Sequence, residues 1–503
     1  MIDQKNSSEL MKMKKMINMK QLELIQVSPM NSKSISEISL PLTYFDTPFL
    51  LGSPTEMLFF YSLPNIEITH FMNSLLPKLK HSLSLTLQHY YPLAGNLIWC
   101  PQLNQPVIRY VHGDSVELVA AESYANFDHL SSKNRTRYAN DFQHLLPQLI
   151  IPSPNSSNAV PLLALQLTLF QNSGICIGLS QPHATGDGRS IAMFLKSWSL
   201  NSKFLGISTS FLLYDHQSLQ IIPFFERTVL KNVSTRFQEA YFLHLVKFIR
   251  SKYSMSEHDC MNWLLASMED LKVPPNHIAA SFELSGTDIG RLKKWVTSRT
   301  NTSPSRFVLV FAYIWVCLAK ATNVKTTRDD PKEGLMKASS VLSFADFRTR
   351  LDPPLPPTYF GNCVGEIVFS TKKGDLVGED GLLVAVNLIV KELRGLDDTL
   401  VRDVDPGLAN LMFPTGDVSE FDVIAGSTQF GFYELDFGLG RPKKVELASI
   451  AKTRAIFFAD SGNGDGVEIS LVRCKDEIDA FGLSFVNGLN DLSVTDLGRK
   501  SRL

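Results

Sequence analysis

The sequence predicts a mixed α/β protein built as two domains, and three observations carry that expectation. The chain has 503 residues, too many for one ordinary core and enough for two domains of about 200–250 residues each. Short apolar runs alternating with small residues, as from Leu162 to Ser180, have the character of β-strands. Other stretches repeat their apolar residues at helical spacing. With 44% apolar and 20% charged residues, the composition is that of a globular protein.

Residues 1–18 hold lysines but no continuous apolar stretch after them, so they read as a poorly ordered extension rather than a secretory signal. Leu22–Val27 and Val107–Val111 read as strands. The leucine pattern of Ile68–Tyr91 reads as a helix with a kink or break at Pro77. Gly174–Ser180 reads as a buried strand, ended by Pro182. From Ile191 the residues Ile191, Phe194, Leu195 and Trp198 mark one face of a helix. Periodicity is weakest over 201–260, and a crossover over 216–265 is expected to join a first domain, 19–215, to a second, 266–503. The second opens with a strand at Ala279–Leu284, after which Ser285 caps a helix through Val296. Phe307–Ala319 is apolar but shorter than the roughly 20 residues that span a bilayer, so it reads as a core element. Pro353, Pro354, Pro356 and Pro357 make a rigid extended loop ahead of strands at Val364–Ser370, Ala455–Ala459 and Val467–Val472.

A net charge of −1, from 49 basic and 50 acidic residues, argues against nucleic acid or an anionic membrane as partner. The six cysteines are scattered, with no CxxC pair and no His/Cys cluster. Neither a disulfide framework nor a metal site is expected, and a reducing, cytosolic setting fits. No GxSxG elbow, HExxH, GxGxxG or Walker A loop is present, which leaves a covalent serine, a catalytic metal and a nucleotide cofactor without a motif.

The most informative segment is GICIGLSQPHATGDGRSIAMFLKSW. It sets His183 on a tight strand-to-helix connection, where a rigid scaffold holds one side chain toward a cleft. Imidazole titrates near neutral pH and can take the proton of a hydroxyl nucleophile. Of the eleven histidines only His183 has an aspartate, Asp187, four residues on. Asp187 also suits a plain helix cap, so the pattern alone leaves a structural reading open.

Three further segments turn this pattern into a resemblance. DFGLGRPKKVE, from Asp436, resembles the DFGWG signature of the BAHD acyltransferases. YFGNC (Tyr359–Cys363), preceded by RTRLDPPLPPT, looks like the mark of their anthocyanin and flavonoid glycoside branch. LTLQHYYPLAGNL resembles the first long helix of the family and its end. The resemblance runs from residue 20 to about 490. It implies two similar mixed-sheet α/β domains, chloramphenicol acetyltransferase-like, with a channel between them. Coenzyme A would enter one mouth and the acceptor the other, with His183 midway. Asp187 would turn away from substrate to pair with an arginine, for which Arg306 is the candidate. The catalytic set so implied is His183, Asp187 and Asp436, with a structural role favoured for Asp436. Leu439 stands where the family usually has Trp, and Pro182 where Asn or His commonly precedes the histidine.

Arg441, Lys443 and Lys444 are candidates for the coenzyme phosphates, and Ser427 for a hydrogen bond to ligand or oxyanion. Arg189 is the candidate for the carboxylate of a malonyl donor. The activity implied is O-acyl transfer, with malonyl-CoA as co-substrate and no bound cofactor, to a sugar hydroxyl of a phenolic, flavonoid or anthocyanin glucoside by a monomer. A hydroxycinnamoyl donor, or a non-catalytic binding protein of the same fold, are the alternatives.

Overall fold

The structure is a computed structural model. It describes residues 19–100, 102–103, 105–133, 135–149, 159–205, 222–230, 247, 272–326, 335–399, 422–462 and 464–500. The expected extension over 1–18 and most of the expected crossover over 216–265 lie outside the described residues.

Three sheets organise the chain. The first has six strands in the order Met19–Val27 (β1), Val116–Ser123 (β6), Ala164–Phe170 (β9), Gly174–Gln181 (β10), Thr55–Ser62 (β3) and Lys444–Leu447 (β15). All its neighbours are antiparallel except β6 and β9. The second has seven, in the order Val364–Lys372 (β13), Ala338–Asp346 (β12), Asp422–Gly426 (β14), Ala455–Asp460 (β16), Val467–Arg473 (β17), Ile278–Leu284 (β11) and Arg137–Tyr138 (β7). Here β12, β14 and β16 run parallel and the rest antiparallel. A small antiparallel sheet joins Ile38–Pro41 (β2), Gln105–Tyr110 (β5), Asn96–Cys100 (β4) and Ala159–Pro161 (β8). The two large sheets exchange strands: β15 of the second half pairs with β3, and β7 of the first half pairs with β11.

β9 and β10 are buried at every residue, which is why they read as continuous apolar runs rather than alternating ones. Helices α1 (Leu76–Leu87) and α2 (Gly188–Lys203) pack together and share the core of the first sheet. Fully buried Trp198 ties them, its indole N–H reaching Leu79 O at 3.2 Å and Ser82 Oγ at 3.1 Å. Pro77 has no N–H for the Asn73 carbonyl, and the helix is irregular just there: Phe71–Leu75 forms a π-type turn ahead of α1.

The second sheet shares its core with α3 (Gly286–Thr297), α4 (Arg306–Thr326), α5 (Gly381–Thr399) and α6 (Lys475–Lys500). Ser285 caps α3 as expected, its Oγ accepting from Asp288 N at 3.1 Å while Asp288 answers back to Ser285 N at 3.1 Å. α4 carries the apolar run from Phe307 and packs between α5 and α6. Among the described residues no helix is long and apolar enough to cross a membrane.

Candidate active site

β10 ends at Gln181, and Pro182 turns the chain into a single 3₁₀ turn, His183–Thr185. Asp187 then caps α2, its Oδ1 accepting from Ser190 N at 3.1 Å. The connection is thus as short as the sequence suggested. Glycines at 186 and 188 make room at its two ends: a Cβ on Gly186 would meet Ser190 Cβ at 2.9 Å, and one on Gly188 would meet the Phe430 ring at 2.6 Å.

The His183 ring stacks on Phe49, with centroids 4.0 Å apart and planes 17° from parallel. It lines a cavity of about 1090 Å³. Helix α2 and residues around β3 form one wall. The ends of β12, β13, β14 and β16 form the other, so the cavity lies between the two large sheets. Nδ1 is enclosed and makes no hydrogen bond. Burial pushes the imidazole pKa below its ordinary 6.5, and its own backbone, Asp187, Asn362 and Asp46 offset this only in part. The ring is therefore neutral at physiological pH, the state a general base requires.

Asp187 also lines the cavity, but both of its oxygens are engaged. Its Oδ1 also accepts from Arg348 Nη2 at 3.0 Å, and its Oδ2 accepts from Cys363 N at 3.1 Å and pairs with Arg348 Nη1 at 2.9 Å. Burial pushes its carboxyl pKa up, but Arg348 and the two backbone N–H groups outweigh this, and it sits below the usual range. The arginine partner is therefore Arg348 and not Arg306. Arg306 lies at the start of α4 and donates to Gly466 O at 2.6 Å. Arg348 stands two residues beyond the end of β12, with its side chain 1% exposed. It also reaches Asp346 Oδ1 at 3.1 Å and Gly361 O at 3.0 Å.

YFGNC lies behind this turn. Asn362 Nδ2 donates to the His183 carbonyl and to Asp46 Oδ1, each at 3.0 Å. Asp46 in turn pairs with buried Arg227 at 2.6 Å. Gly361 N donates to Ser190 Oγ at 3.1 Å, and that hydroxyl donates back to Gly361 O at 2.9 Å. Gly361 has φ +149°, and a Cβ there would meet Arg227 Nη1 at 2.6 Å. The motif therefore braces the histidine turn from the second half of the chain. Phe49 and Asp46 were not singled out in the sequence, and Asn362 and Arg348 lay in the quoted segments YFGNC and RTRLDPPLPPT without a role of their own. The available signal for Arg348 was Asp346-x-Arg348, charged residues on either side of a core phenylalanine at a strand end.

The remaining candidates scatter. Arg189 lines the cavity but already pairs with Asp346 at 3.1 Å, both half-exposed. Ser427 lines the cavity, and its Oγ accepts from Gln429 N at 3.1 Å. Arg441 pairs with Glu434 at 2.9 Å, and Lys443 donates to Asp128 at 2.6 Å outside the cavity. Lys444 is fully buried between Glu446 and Glu468 and does not line the cavity. Asp436 does not line the cavity. Its Oδ1 accepts from the backbone N–H groups of Gly438, Leu439 and Gly440 at 2.8, 3.0 and 2.9 Å, and its Oδ2 pairs with Lys203 at 2.8 Å. One carboxylate thus closes a turn in which Gly438 and Gly440 have positive φ. Leu439 packs on the first core through its side chain while its N–H makes the turn, so the turn itself does not need a Trp.

The family model described as the Transferase family matches residues 15–485. The chain belongs to that family, the BAHD acyltransferases. It is 34% identical over 481 residues to phenolic glucoside malonyltransferase 2 of Arabidopsis thaliana, covering 93% of this chain and 99% of that one. It is 35% identical over 439 residues to phenolic glucoside malonyltransferase 1 of Nicotiana tabacum, covering 85% and 89%. A coumaroyl-CoA:anthocyanidin 3-O-glucoside-6''-O-coumaroyltransferase of Arabidopsis thaliana is 33% identical, covering 92% and 95%. Vinorine synthase shares the fold with a TM-score of 0.64 at 21% identity, covering 92% of this chain and 96% of that one. F. sporotrichioides TRI101, complexed with coenzyme A and T-2, shares it with a TM-score of 0.59 at 14% identity, covering 88% and 97%. The expected fold, two mixed-sheet α/β units with a cavity between them, is the one observed.

Proposed function

We propose that this BAHD chain is an acyl-CoA-dependent O-acyltransferase that moves a malonyl group to a sugar hydroxyl of a phenolic, flavonoid or anthocyanin glucoside. The observation that carries the reading is a neutral histidine opening onto a cavity walled by both halves of the chain. His183 takes the hydroxyl proton as the acceptor oxygen attacks the thioester carbonyl. The tetrahedral intermediate collapses, the C–S bond breaks, and the proton passes to the departing coenzyme thiolate. A thiolate leaves readily, so one acid–base group serves both steps. Asp187 and Arg348 hold the turn, both carboxylate oxygens and both terminal guanidinium nitrogens already engaged. Ser427 is the candidate donor to the oxyanion.

Malonyltransferases acting on phenolic glucosides among the relatives support the donor and acceptor classes. A hydroxycinnamoyl donor is the second reading, favoured by Phe49, Phe344, Phe430 and Phe432 along the cavity and by the coumaroyltransferase relative. The enzyme is proposed to act as a cytosolic monomer. The test is thiol release from malonyl-CoA and coumaroyl-CoA with a panel of phenolic glucosides, compared as kcat/KM. Higher values with malonyl-CoA are expected. A preference for coumaroyl-CoA overturns the donor, and no release from either overturns the activity.

A further inference from the structure

A malonyl group differs from an acetyl group by one carboxylate, which is costly to enclose unless a cation or hydrogen-bond donors meet it. Four cationic or titratable nitrogen side chains line the cavity: His183, Arg189, Arg348 and Lys196. His183 is neutral, held so by burial. Arg189 is already matched by Asp346, and Arg348 by Asp187 and Asp346. Lys196 has no ion pair or hydrogen bond through its ammonium among the described residues. Glu434, which reaches the same space beside Gly431, is engaged by Arg441.

The position of Lys196 fits a ligand that reaches His183. It stands on α2 eight residues after Gly188, about 12 Å along the axis. Long helical side chains lean toward the helix N-terminus, the end of α2 that carries the histidine turn. Its Nζ lies 3.3 Å from where a Cβ on Gly431 would stand, so a larger residue at 431 would crowd it. The neighbouring Phe430 ring packs over Gly188 at the start of the same helix. The ammonium therefore lies beside the Gly431 turn, next to Phe430, on the wall of the same cavity that His183 lines.

We infer that Lys196 is the group that receives the carboxylate of a dicarboxylic acyl donor, and that it selects malonyl over neutral acyl thioesters. This rests on the acyl-CoA reading above. Titration calorimetry of the full chain with malonyl-CoA and with acetyl-CoA tests it, because the two ligands share the coenzyme and differ in the carboxylate. Lys196→Gln is expected to weaken malonyl-CoA binding about 10- to 100-fold, the range for a lost hydrogen bond to a charged group. Acetyl-CoA binding and the melting temperature stay unchanged, and Lys196→Arg keeps most of the malonyl-CoA affinity. Equal weakening of both ligands moves Lys196 to the coenzyme phosphates and overturns the inference. So does a variant that binds both as the wild type does. Wild-type protein that binds neither thioester overturns the acyl-CoA reading and this inference with it.

Discussion

At the scale of single residues, the site separates one reacting group from those that hold it. His183 keeps a free face on the cavity, whereas Asp187 spends its carboxylate on four donors: the N–H groups of Ser190 and Cys363 and two from Arg348. The Asp187–Arg348 pair is buried, so deleting one partner leaves the other uncompensated, which typically costs about 3–5 kcal/mol. Asp187 is thus a fixture of the fold before it is an aid to chemistry. His183→Ala, by contrast, is expected to leave the melting temperature unchanged and to lower kcat about 10²–10⁴-fold. The base works in its neutral form, and burial lowers its pKa, so protonation switches it off only below its ordinary 6.5. The acid limb of kcat/KM should accordingly have its midpoint below pH 6.5. A midpoint at or above that value, or an alanine variant with near-normal turnover, removes His183 from the role.

At the scale of elements, a strand end, a helix start and a loop from the other half of the chain meet around one turn. β10 delivers His183, α2 begins at Asp187, and Tyr359–Cys363 closes over both through Asn362 and Gly361. The brace has a consequence for the base. Asn362 raises the His183 pKa against the stronger lowering by burial. Asn362→Ala removes that contribution and leaves Asp46 one side-chain donor short. The expected result is a lower kcat with substrate KM little changed, and an acid limb displaced further toward low pH. Stability should fall by about 1–3 kcal/mol, the cost of a buried group left unsatisfied. A purely structural loss would lower the melting temperature and leave the pH profile in place, so the profile discriminates.

At the scale of the whole molecule, the exchanged strands bring a buried charge network between the two large sheets. Lys444 and Glu446 on β15 meet Arg137 on β7 and Glu468 on β17, with Lys133 at the edge, 3.6 Å from Glu468. Tyr433 Oη donates to Glu468 at 3.0 Å. Glu468 is 2% exposed, and Lys444 holds its carboxyl pKa below the ordinary value against the pull of burial. Glu468→Ala leaves Lys444 and Arg137 sharing Glu446 and takes away the carboxylate that Lys133 pairs with, and the expected loss is about 3–5 kcal/mol. Because the network joins both sheets, urea unfolding should shift as one transition, with kcat at low temperature retained. Separate transitions for the two halves would show that they are not coupled through it.

What the sequence determined by itself is local. Backbone hydrogen bonding and side-chain spacing over a few residues fix the buried strand before Pro182, the Asp187 cap, the Ser285–Asp288 capping box and the apolar helix after Arg306. The ordered motifs at His183–Asp187, Tyr359–Cys363 and Asp436–Gly440 were enough to indicate the family. Only the tertiary structure decided which charges meet. Arg348 lies 161 residues from Asp187 and reaches it because β12 ends beside the start of α2. Arg306, near an equally apolar run, turns instead to Gly466. Lys444 and Lys443 are adjacent in sequence, yet strand alternation buries one between two glutamates and leaves the other 38% exposed beside Asp128. Charge type is written in the sequence, but whether a charge is spent or free is set by partners that only the stacking of two sheets brings within reach.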